Sequence, residues 1–184
     1  MTCIIVMGCF RSGTSAVAGA LRHIGVFMGD QFEQPNKNNK KGFWEDLEFK
    51  KILNQYENCD TSASEFCKVL VEQRISQHEI WGFKDPLICN HLGQFNFIDS
   101  KLIVCRRPVE DIASSMGRAI GVSARTVFIP LAEHYVKKLN QSLKEYTGPI
   151  LEVHKTDSML QILEPICEFV GLPSNQSAID FLVL

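Results

Sequence analysis

The sequence of 184 residues is 45% hydrophobic, 22% charged and 9% aromatic, a composition typical of one globular domain that buries about 70% of the surface its unfolded chain exposes. Its 19 Lys and Arg and 21 Asp and Glu give a net charge of −2. This charge excludes the general basic field of a nucleic-acid-binding protein. An anion site would therefore need a local cluster of cations. Apolar runs fall short of the roughly 18 residues that a membrane span needs, and the composition also excludes collagen-like, disulfide-scaffold and disordered chains.

The first predicted unit is a strand, a turn and a helix. Residues 3–7 are a β-branched run typical of a buried parallel strand, and the glycine-bounded segment 8–13 follows. Apolar residues then recur at helical spacing from Ala16 to Ile24. Segment 29–42 has no period and contains glycine, proline and a run of Asn and Lys, which predicts an exposed loop.

The remaining chain continues this alternation of strands and helices. The pattern predicts, in order, helices over 45–57 and 63–73, strands over 80–83 and 101–105, a helix from 109, a helix from Pro130 to Leu143, a strand over 150–154, and a helix from Asp157 to Gly171 kinked or split at Pro165. Such alternation predicts a three-layer αβα fold with a central parallel β-sheet, covered on both faces, in one domain over 1–184.

Cysteine usage and the amino end bear on the compartment. The seven cysteines form no CxxC pair, and an odd number without metal-ligand spacing is typical of reduced, buried thiols. Met1 leads directly into the first apolar run, without a charged leader or a cleavage signal. We therefore expect a cytoplasmic protein without a metal site, and the sequence leaves its oligomeric state open.

The segment Gly8-Cys9-Phe10-Arg11-Ser12-Gly13-Thr14-Ser15 has the context of an anion-binding loop. Between a strand and a helix, backbone N–H groups and the helix dipole converge on an anion. The segment nearly matches the nucleotide P-loop GxxxxGK[ST], but Thr14 stands at the lysine position, which weakens an ATPase or kinase interpretation. The cation of the segment is instead Arg11. Cys9 also fails as a phosphatase nucleophile, because the Cys-x5-Arg loop needs arginine where Ser15 stands.

From Arg11 onward this loop resembles the [KR]SGT[ST] motif of the sulfotransferase family. Members of that family bind 3′-phosphoadenosine 5′-phosphosulfate (PAPS) with a P-loop NTPase-like fold. The resemblance implies that the loop holds the 5′-phosphosulfate and that Arg11 supplies the cation. The other residues implied in binding are Ser12, Gly13, Thr14 and Ser15.

A second resemblance concerns the 3′-phosphate. Family members place an arginine at the end of a central strand and a serine eight residues later, and Arg106 and Ser114 reproduce that spacing. The adjacent Arg107 is interpreted as a surface or sheet-edge residue. Arg118 and Arg125 are open candidates for the same cleft.

Further segments resemble bacterial-type members. Trp81-Gly82-Phe83-Lys84-Asp85-Pro86 is similar to a KDP segment whose lysine lies near the transferring group, which implies a catalytic Lys84; a structural ion pair with Asp85 is the alternative. Gly42-Phe43-Trp44-Glu45-Asp46 resembles a GYWED-type segment, and 170–173 resembles an FLGLP ending. Two departures stand beside these matches: no basic, glycine-rich closing loop follows, and no histidine matches the base of cytosolic members.

We expect a carboxylate to accept the proton of the acceptor hydroxyl. The candidates are Asp30, Glu33 and Glu45, which follow the first helix, where Golgi-type members place a catalytic glutamate. Glu45 is favoured, because Phe43 and Trp44 are expected to exclude water and raise the pKa of its carboxyl group. The alternative for Glu45 is a first-turn glutamate that stabilises its helix through the dipole.

The resemblance implies a PAPS-dependent sulfotransferase that moves a sulfuryl group to an acceptor hydroxyl of a small molecule, sugar or lipid and releases PAP. Arg11 and Lys84 would neutralise the bridging oxygen of the leaving phosphate, without a metal. Two alternatives are a non-catalytic PAP- or PAPS-binding protein and a P-loop nucleotide kinase with a displaced lysine. Neither nucleic acid nor a membrane is expected as a partner.

Overall fold

The computed structural model describes residues 1–36, 39–121, 125–155 and 158–183. Its centre is a parallel sheet with the strand order β2-β1-β3-β4. The strands are β1 (Thr2–Gly8), β2 (Ile80–Lys84), β3 (Ser100–Arg106) and β4 (Ile150–His154). All four predicted strands are present, and the predicted parallel α/β fold is confirmed.

Helices pack on both faces of this sheet. They are α1 (Thr14–His23), α2 (Leu47–Glu57), α3 (Ala63–Gln77), α4 (Ile88–His91), which continues into a short 3-10 helix (Leu92–Phe95), α5 (Val109–Ile120), α6 (Arg125–Leu143), α7 (Leu163–Val170) and α8 (Gln176–Val183). Side chains alternate along β1, so that Cys3, Ile5 and Met7 pack towards α2, α3, α4 and α6. Ile4 and Val6 pack towards α1, α7 and α8 on the other face. Burial on both faces explains the continuous apolar runs of the strands.

Two helices have limits that differ from those predicted, and in both the difference concerns the position of a proline. The sixth helix begins at Arg125, with Pro130 inside it, and not at Pro130 as predicted. The predicted helix start at Asp157 lies outside the described residues. The described helix α7 has Pro165 in its first turn, where a missing N–H breaks no helical hydrogen bond, so this proline marks the start of the helix and does not kink it.

The last helix, α8, was not predicted. Asn175 begins it, because its side-chain oxygen accepts from the backbone N–H of Ala178 at 2.9 Å. The amide group of Asn175 also donates to the carbonyl oxygen of His23 at 2.8 Å, which ties α8 to the end of α1. Leu182 of α8 adds to the core on this face.

A buried arginine fixes the start of α2. Arg74, on α3, is 2% exposed and donates to the carboxylate of Asp46 at 3.1 Å. Asp46 is equally buried, and its other oxygen accepts from the N–H of Glu48 at 2.9 Å as the cap of α2. The guanidinium of Arg74 also lies 4.9 Å from the ring centre of Phe27. Breaking such a pair would leave a buried charge uncompensated, so residue 46 and its neighbours are held firmly.

The sheet brings the ends of its strands to one edge. Val6 pairs with Lys84 across β1 and β2, and Gly8 pairs with Cys105 across β1 and β3. The chain runs from β1 to β2 on one side and continues to β3 on the other side of β1. Ligands of open α/β sheets bind in the crevice that this reversal leaves at the carboxyl ends of the strands.

Candidate active site

A cavity of about 440 Å³ lies at this edge of the sheet. It is bounded by the loop after β1, the first turn of α1, the segment that leads into α2, the end of β2, and the residues that follow β3 and β4. The loop residues that line it are Phe10, Arg11 and Gly13, followed by Thr14 and Ser15 of α1. The predicted anion loop therefore forms one wall of the cavity.

The path of the loop depends on its two glycines. A Cβ atom on Gly8 would lie 2.7 Å from the carbonyl oxygen of Cys105, so glycine is needed for the close approach of the loop to β3. Gly13 has φ +102°, a left-handed conformation, and immediately precedes α1. Arg11 also has a positive φ, of 69°. These turns direct the first N–H groups of α1 towards the cavity, as in other anion-binding loops.

The hydroxyl groups of the loop take different positions. Thr14, 4% exposed, and Ser15 line the cavity, and Ser15 accepts a hydrogen bond from the side chain of Asn39 at 3.2 Å. Ser12 lies beneath the loop near Gly8, and its buried hydroxyl oxygen has no hydrogen-bond partner within the part of the chain that the structure describes. Asn39, which sequence reasoning passed over as part of a solvated loop, therefore belongs to the cavity.

The thiol of Cys9 points away from the cavity. Cys9 is 1% exposed and packs with Ile112 and Ala113 of α5 and Ala132 of α6. Burial raises the pKa of this thiol to about 12, so that it stays protonated.

Several cations converge on the cavity. Arg11 donates through Nε to the hydroxyl of Ser115 at 3.1 Å, and Arg107 donates through Nη1 to the carbonyl oxygen of Arg11 at 2.8 Å. Lys155, which follows β4, lies against Gly13. Burial, together with the positive charges of Arg107 and Arg118, lowers the pKa of Arg11. Such crowding of positive charge favours the binding of an anion.

The predicted pair of Arg106 and Ser114 does not line the cavity. Arg106 ends β3 on the face of the sheet that α6 covers, and its guanidinium pairs with Glu152 at 2.6 Å and donates to Asn140 of α6. Ser114 donates its hydroxyl proton to the carbonyl oxygen of Glu110 in its own helix, at 2.7 Å. The walls of the cavity therefore do not include the two residues predicted to bind the 3′-phosphate.

The residues one position later do lie in the cavity wall. Arg107 and Ser115 both line the cavity and are also eight residues apart. Arg107, predicted to lie at the surface or the sheet edge, is therefore half-buried in the cavity wall. Successive side chains of a strand point to opposite faces, and this alternation was the signal that could have chosen Arg107 over Arg106. Arg118 is exposed outside the cavity lining, and the side chain of Arg125 lies outside the described structure.

A buried ion pair forms the opposite wall. Lys84, at the end of β2, donates to Oε1 of Glu45 at 2.7 Å, and the two residues are 3% and 7% exposed. Lys84 thus pairs with Glu45 and not with Asp85. Lys50 donates to Oε2 of Glu45 at 3.0 Å and also pairs with Glu33. A chain of alternating charges therefore runs from the half-exposed Glu33 to the buried Lys84.

The carboxyl group of Glu45 has a lowered pKa, contrary to the expectation from sequence. Burial alone would raise this pKa, but the ammonium groups of Lys84 and Lys50 outweigh burial. Trp44 contributes little to the surroundings of this carboxylate, because its ring packs against Phe32 and Phe181 at centroid distances of 5.3 and 5.8 Å. Glu45 is thus ionised but a weak base.

The third carboxylate candidate, Asp30, lies elsewhere. It borders a different depression of the surface, its side chain is 71% exposed, and it pairs with Arg74 at 3.4 Å. The structure therefore brings Glu33 and Glu45 to the cavity and places Asp30 outside it.

The described residues contain no group of three or more His, Cys, Asp or Glu side chains that could hold a metal ion. Within the same ranges, every helix is too short or too polar to cross a membrane.

Comparisons with known proteins agree with this fold. No protein-family model matches the chain, and no curated protein matches it. Among solved structures, it is similar to the sulfotransferase STF1 from Mycobacterium tuberculosis H37Rv, with a TM-score of 0.57 and 17% identity over 98% of this chain and 70% of that chain. It is also similar to a deoxyadenosine kinase from M. mycoides with bound dATP, with a TM-score of 0.52 and 11% identity over 93% of this chain and 100% of that chain. The chain therefore has the P-loop-like α/β fold that sulfotransferases and nucleotide kinases share.

Asp85 gives a test of the electrostatics behind the cavity. Burial, reinforced by the charge of Glu45, raises the pKa of this carboxyl group to about 6, while its Oδ1 accepts from the N–H of Leu87 at 2.8 Å. A raised carboxyl pKa means that the folded state binds the proton more tightly, so stability falls as the pH rises from the ordinary value near 4 through about 6. Asn can accept the same hydrogen bond without the charge.

We predict that Asp85→Asn becomes more stable relative to wild type as the pH rises. The difference between the unfolding free energies of the two proteins should change by about 2–3 kcal/mol in favour of the variant between pH 4 and pH 7.5. Urea denaturation at each pH measures this difference. Asp99→Asn, at an exposed aspartate, is the control for replacing an aspartate by its amide. If the effect of Asp85→Asn on the unfolding free energy does not change with pH, the surroundings of Asp85 do not raise its pKa.

Proposed function

We propose that the protein is a sulfotransferase that moves a sulfuryl group from PAPS to an acceptor hydroxyl and releases PAP. The observation that carries this proposal is the cavity itself, which combines a phosphate loop with threonine at the usual lysine position and cations supplied by other elements. The fold shared with a sulfotransferase supports it. The acceptor class stays a small molecule, a sugar or a lipid, and PAPS is the only cofactor proposed.

The 5′-phosphosulfate would bind at the start of α1. The first N–H groups of that helix, with the hydroxyl groups of Thr14 and Ser15, would hold the phosphate, and Arg11 would supply positive charge. Ser12 and Gly13 contribute through the backbone path of the loop.

Arg107 and Ser115 are proposed to bind the 3′-phosphate. Both line the same cavity, and both are joined to Arg11 by the hydrogen bonds described above. A guanidinium group can donate two parallel hydrogen bonds to a phosphate, which makes arginine suited to this role.

The reaction needs charge stabilisation more than covalent chemistry. The acceptor oxygen attacks the sulfur atom in line, the bond from sulfur to the bridging oxygen breaks, and that oxygen leaves with the electron pair as part of PAP. Lys84 would neutralise the charge that develops on that oxygen, and its location at the end of β2 in the cavity wall supports this role.

A carboxylate would accept the proton that the acceptor hydroxyl loses. Both oxygens of Glu45 are engaged by ammonium groups, which makes it a poor base and suits it to holding Lys84. Glu33 lines the cavity, and Lys50 contacts only its Oε2 among the described interactions. We therefore assign the base to Glu33 and the orientation of Lys84 to Glu45.

A P-loop nucleotide kinase is the second candidate. The observation that favours it is Lys155, whose side chain lies against Gly13 and could serve as a displaced loop lysine, in a fold shared with a deoxyadenosine kinase. A protein that binds PAP or PAPS without turnover is the third.

Nucleotide preference and sulfate transfer separate these three functions. We predict that PAP binds more tightly than ATP by calorimetry, because ATP offers no 3′-phosphate to Arg107 and Ser115, and that radiolabelled sulfate passes from PAPS to a hydroxyl acceptor in a screen. Tighter binding of ATP would favour the kinase. Tight PAP binding without transfer to any acceptor of the screen would favour the non-catalytic protein.

The 3′-phosphate assignment has a matched pair of variants. Charge-assisted hydrogen bonds contribute roughly 1.5–3 kcal/mol each, so wild type should prefer PAPS to adenosine 5′-phosphosulfate by about 10²- to 10⁴-fold. We predict that Arg107→Ala loses at least about tenfold of that preference in competition binding, whereas Arg106→Ala keeps it. The opposite order would return the site to Arg106.

Substitutions of Glu33 and Glu45 should have different effects on kcat and on PAP binding. We predict that Glu33→Gln lowers kcat by about 10²-fold or more with PAP affinity nearly unchanged, the usual scale for loss of a general base. Glu45→Gln should also lower kcat, because Lys84 loses the carboxylate that orients it, but it should tighten PAP binding, because the ammonium groups of Lys84 and Lys50 are no longer neutralised beside the cavity. Turnover near wild type in Glu33→Gln would exclude Glu33 as the base.

A further inference from the structure

Lys155 reaches the anion loop from the far strand of the sheet. Its backbone N–H donates to the carbonyl oxygen of Arg106 at 2.9 Å, which extends the pairing of β3 and β4 by one residue. Val153, two residues earlier, packs on the face of the sheet that α1 covers. Alternation along the strand therefore directs Lys155 towards the same side, where α1 begins.

The alkyl chain of Lys155 lies on Gly13. A Cβ atom on this glycine would be 3.1 Å from Cδ of Lys155 and 3.8 Å from its Cε, so the absence of a side chain at Gly13 makes room for the lysine. Gly13 is the residue at which the loop becomes α1. The lysine thus lines the cavity one residue before Thr14, which stands where nucleotide P-loops carry their lysine.

Other cations surround this ammonium group. Burial, and then the charges of Arg107 and Lys41, lower the pKa of Lys155. Neither Lys155 nor Arg107 is in an ion pair with a carboxylate among the described residues. Half-buried positive charges held together without a carboxylate repel one another, and an oxyanion would relieve that repulsion.

We propose that Lys155 supplies from β4 the ammonium group that the phosphate loop lacks at Thr14, and that it binds the oxyanion held at the start of α1. The identity of this anion as the 5′-phosphosulfate of PAPS rests on the proposed function. The binding role itself requires only a phosphate-like anion, so inorganic pyrophosphate serves as an independent probe.

The test compares near-isosteric variants of the full chain. Lys155→Met keeps the packing on Gly13 and removes the charge, and it should weaken the binding of both pyrophosphate and PAP by about 10- to 100-fold in calorimetry. Lys155→Arg should restore most of the affinity. Lys144→Met, which removes an exposed lysine after α6, should bind both probes as wild type does. Thermal unfolding of each variant verifies the fold, and Lys155→Gln replaces the methionine variant if that one does not fold.

Each result bears on one proposal. Wild-type affinity for pyrophosphate in Lys155→Met, or no pyrophosphate binding by wild type, overturns the assignment of Lys155. Loss of binding that arginine does not restore also overturns it, because a packing role would then explain the loss. If wild type binds pyrophosphate and ATP but not PAP, the sulfotransferase proposal fails, while the pyrophosphate affinities still decide the role of Lys155.

Discussion

The buried ion pair between Lys84 and Glu45 is the interaction on which the cavity depends. It joins the end of β2 to the irregular segment before α2, at a place that water hardly reaches. The next residue, Asp46, pairs with the buried Arg74 of α3. Two consecutive carboxylates are therefore held by cations from β2, α2 and α3. Since an isolated buried charge is very costly, this segment has little freedom to move, and one wall of the cavity is rigid.

The other wall is assembled differently. Positive charges come together here from the loop after β1, from α1 and from the residues after β3 and β4. Two of these residues, Arg107 and Lys155, form no ion pair with a carboxylate among the described residues. Burial, and to a smaller extent this crowding, lowers the pKa of Arg11 and of Lys155. The charged forms of both side chains are therefore held against electrostatic repulsion. One side of the cavity is therefore neutralised by its own ion pairs and is suited to holding side chains in fixed orientations. The other side is positively charged and is suited to an anionic ligand.

Periodicity and turn residues were enough to predict the four strands, their parallel arrangement and the loop between β1 and α1, because these features depend on local patterns. The choice between Arg106 and Arg107 depended on the face of β3 that each side chain takes, and the doublets of Arg and of Ser made both registers fit the same spacing. The pKa of Glu45 depended on Lys50 and Lys84, which are distant in sequence or on another element. The position of Lys155 against Gly13 follows from the strand order, which no local motif marks. The short helix α8 was missed although Asn175 offered a capping signal.

The position of Cys9 has a consequence for the chemical durability of the loop. A thiol among cations ordinarily loses its proton readily, and the resulting thiolate is attacked by peroxides and electrophiles. Here the sulfur is turned into the apolar contact between α5 and α6, and its raised pKa keeps it a thiol. The loop can therefore concentrate positive charge without placing a redox-sensitive nucleophile beside the cavity.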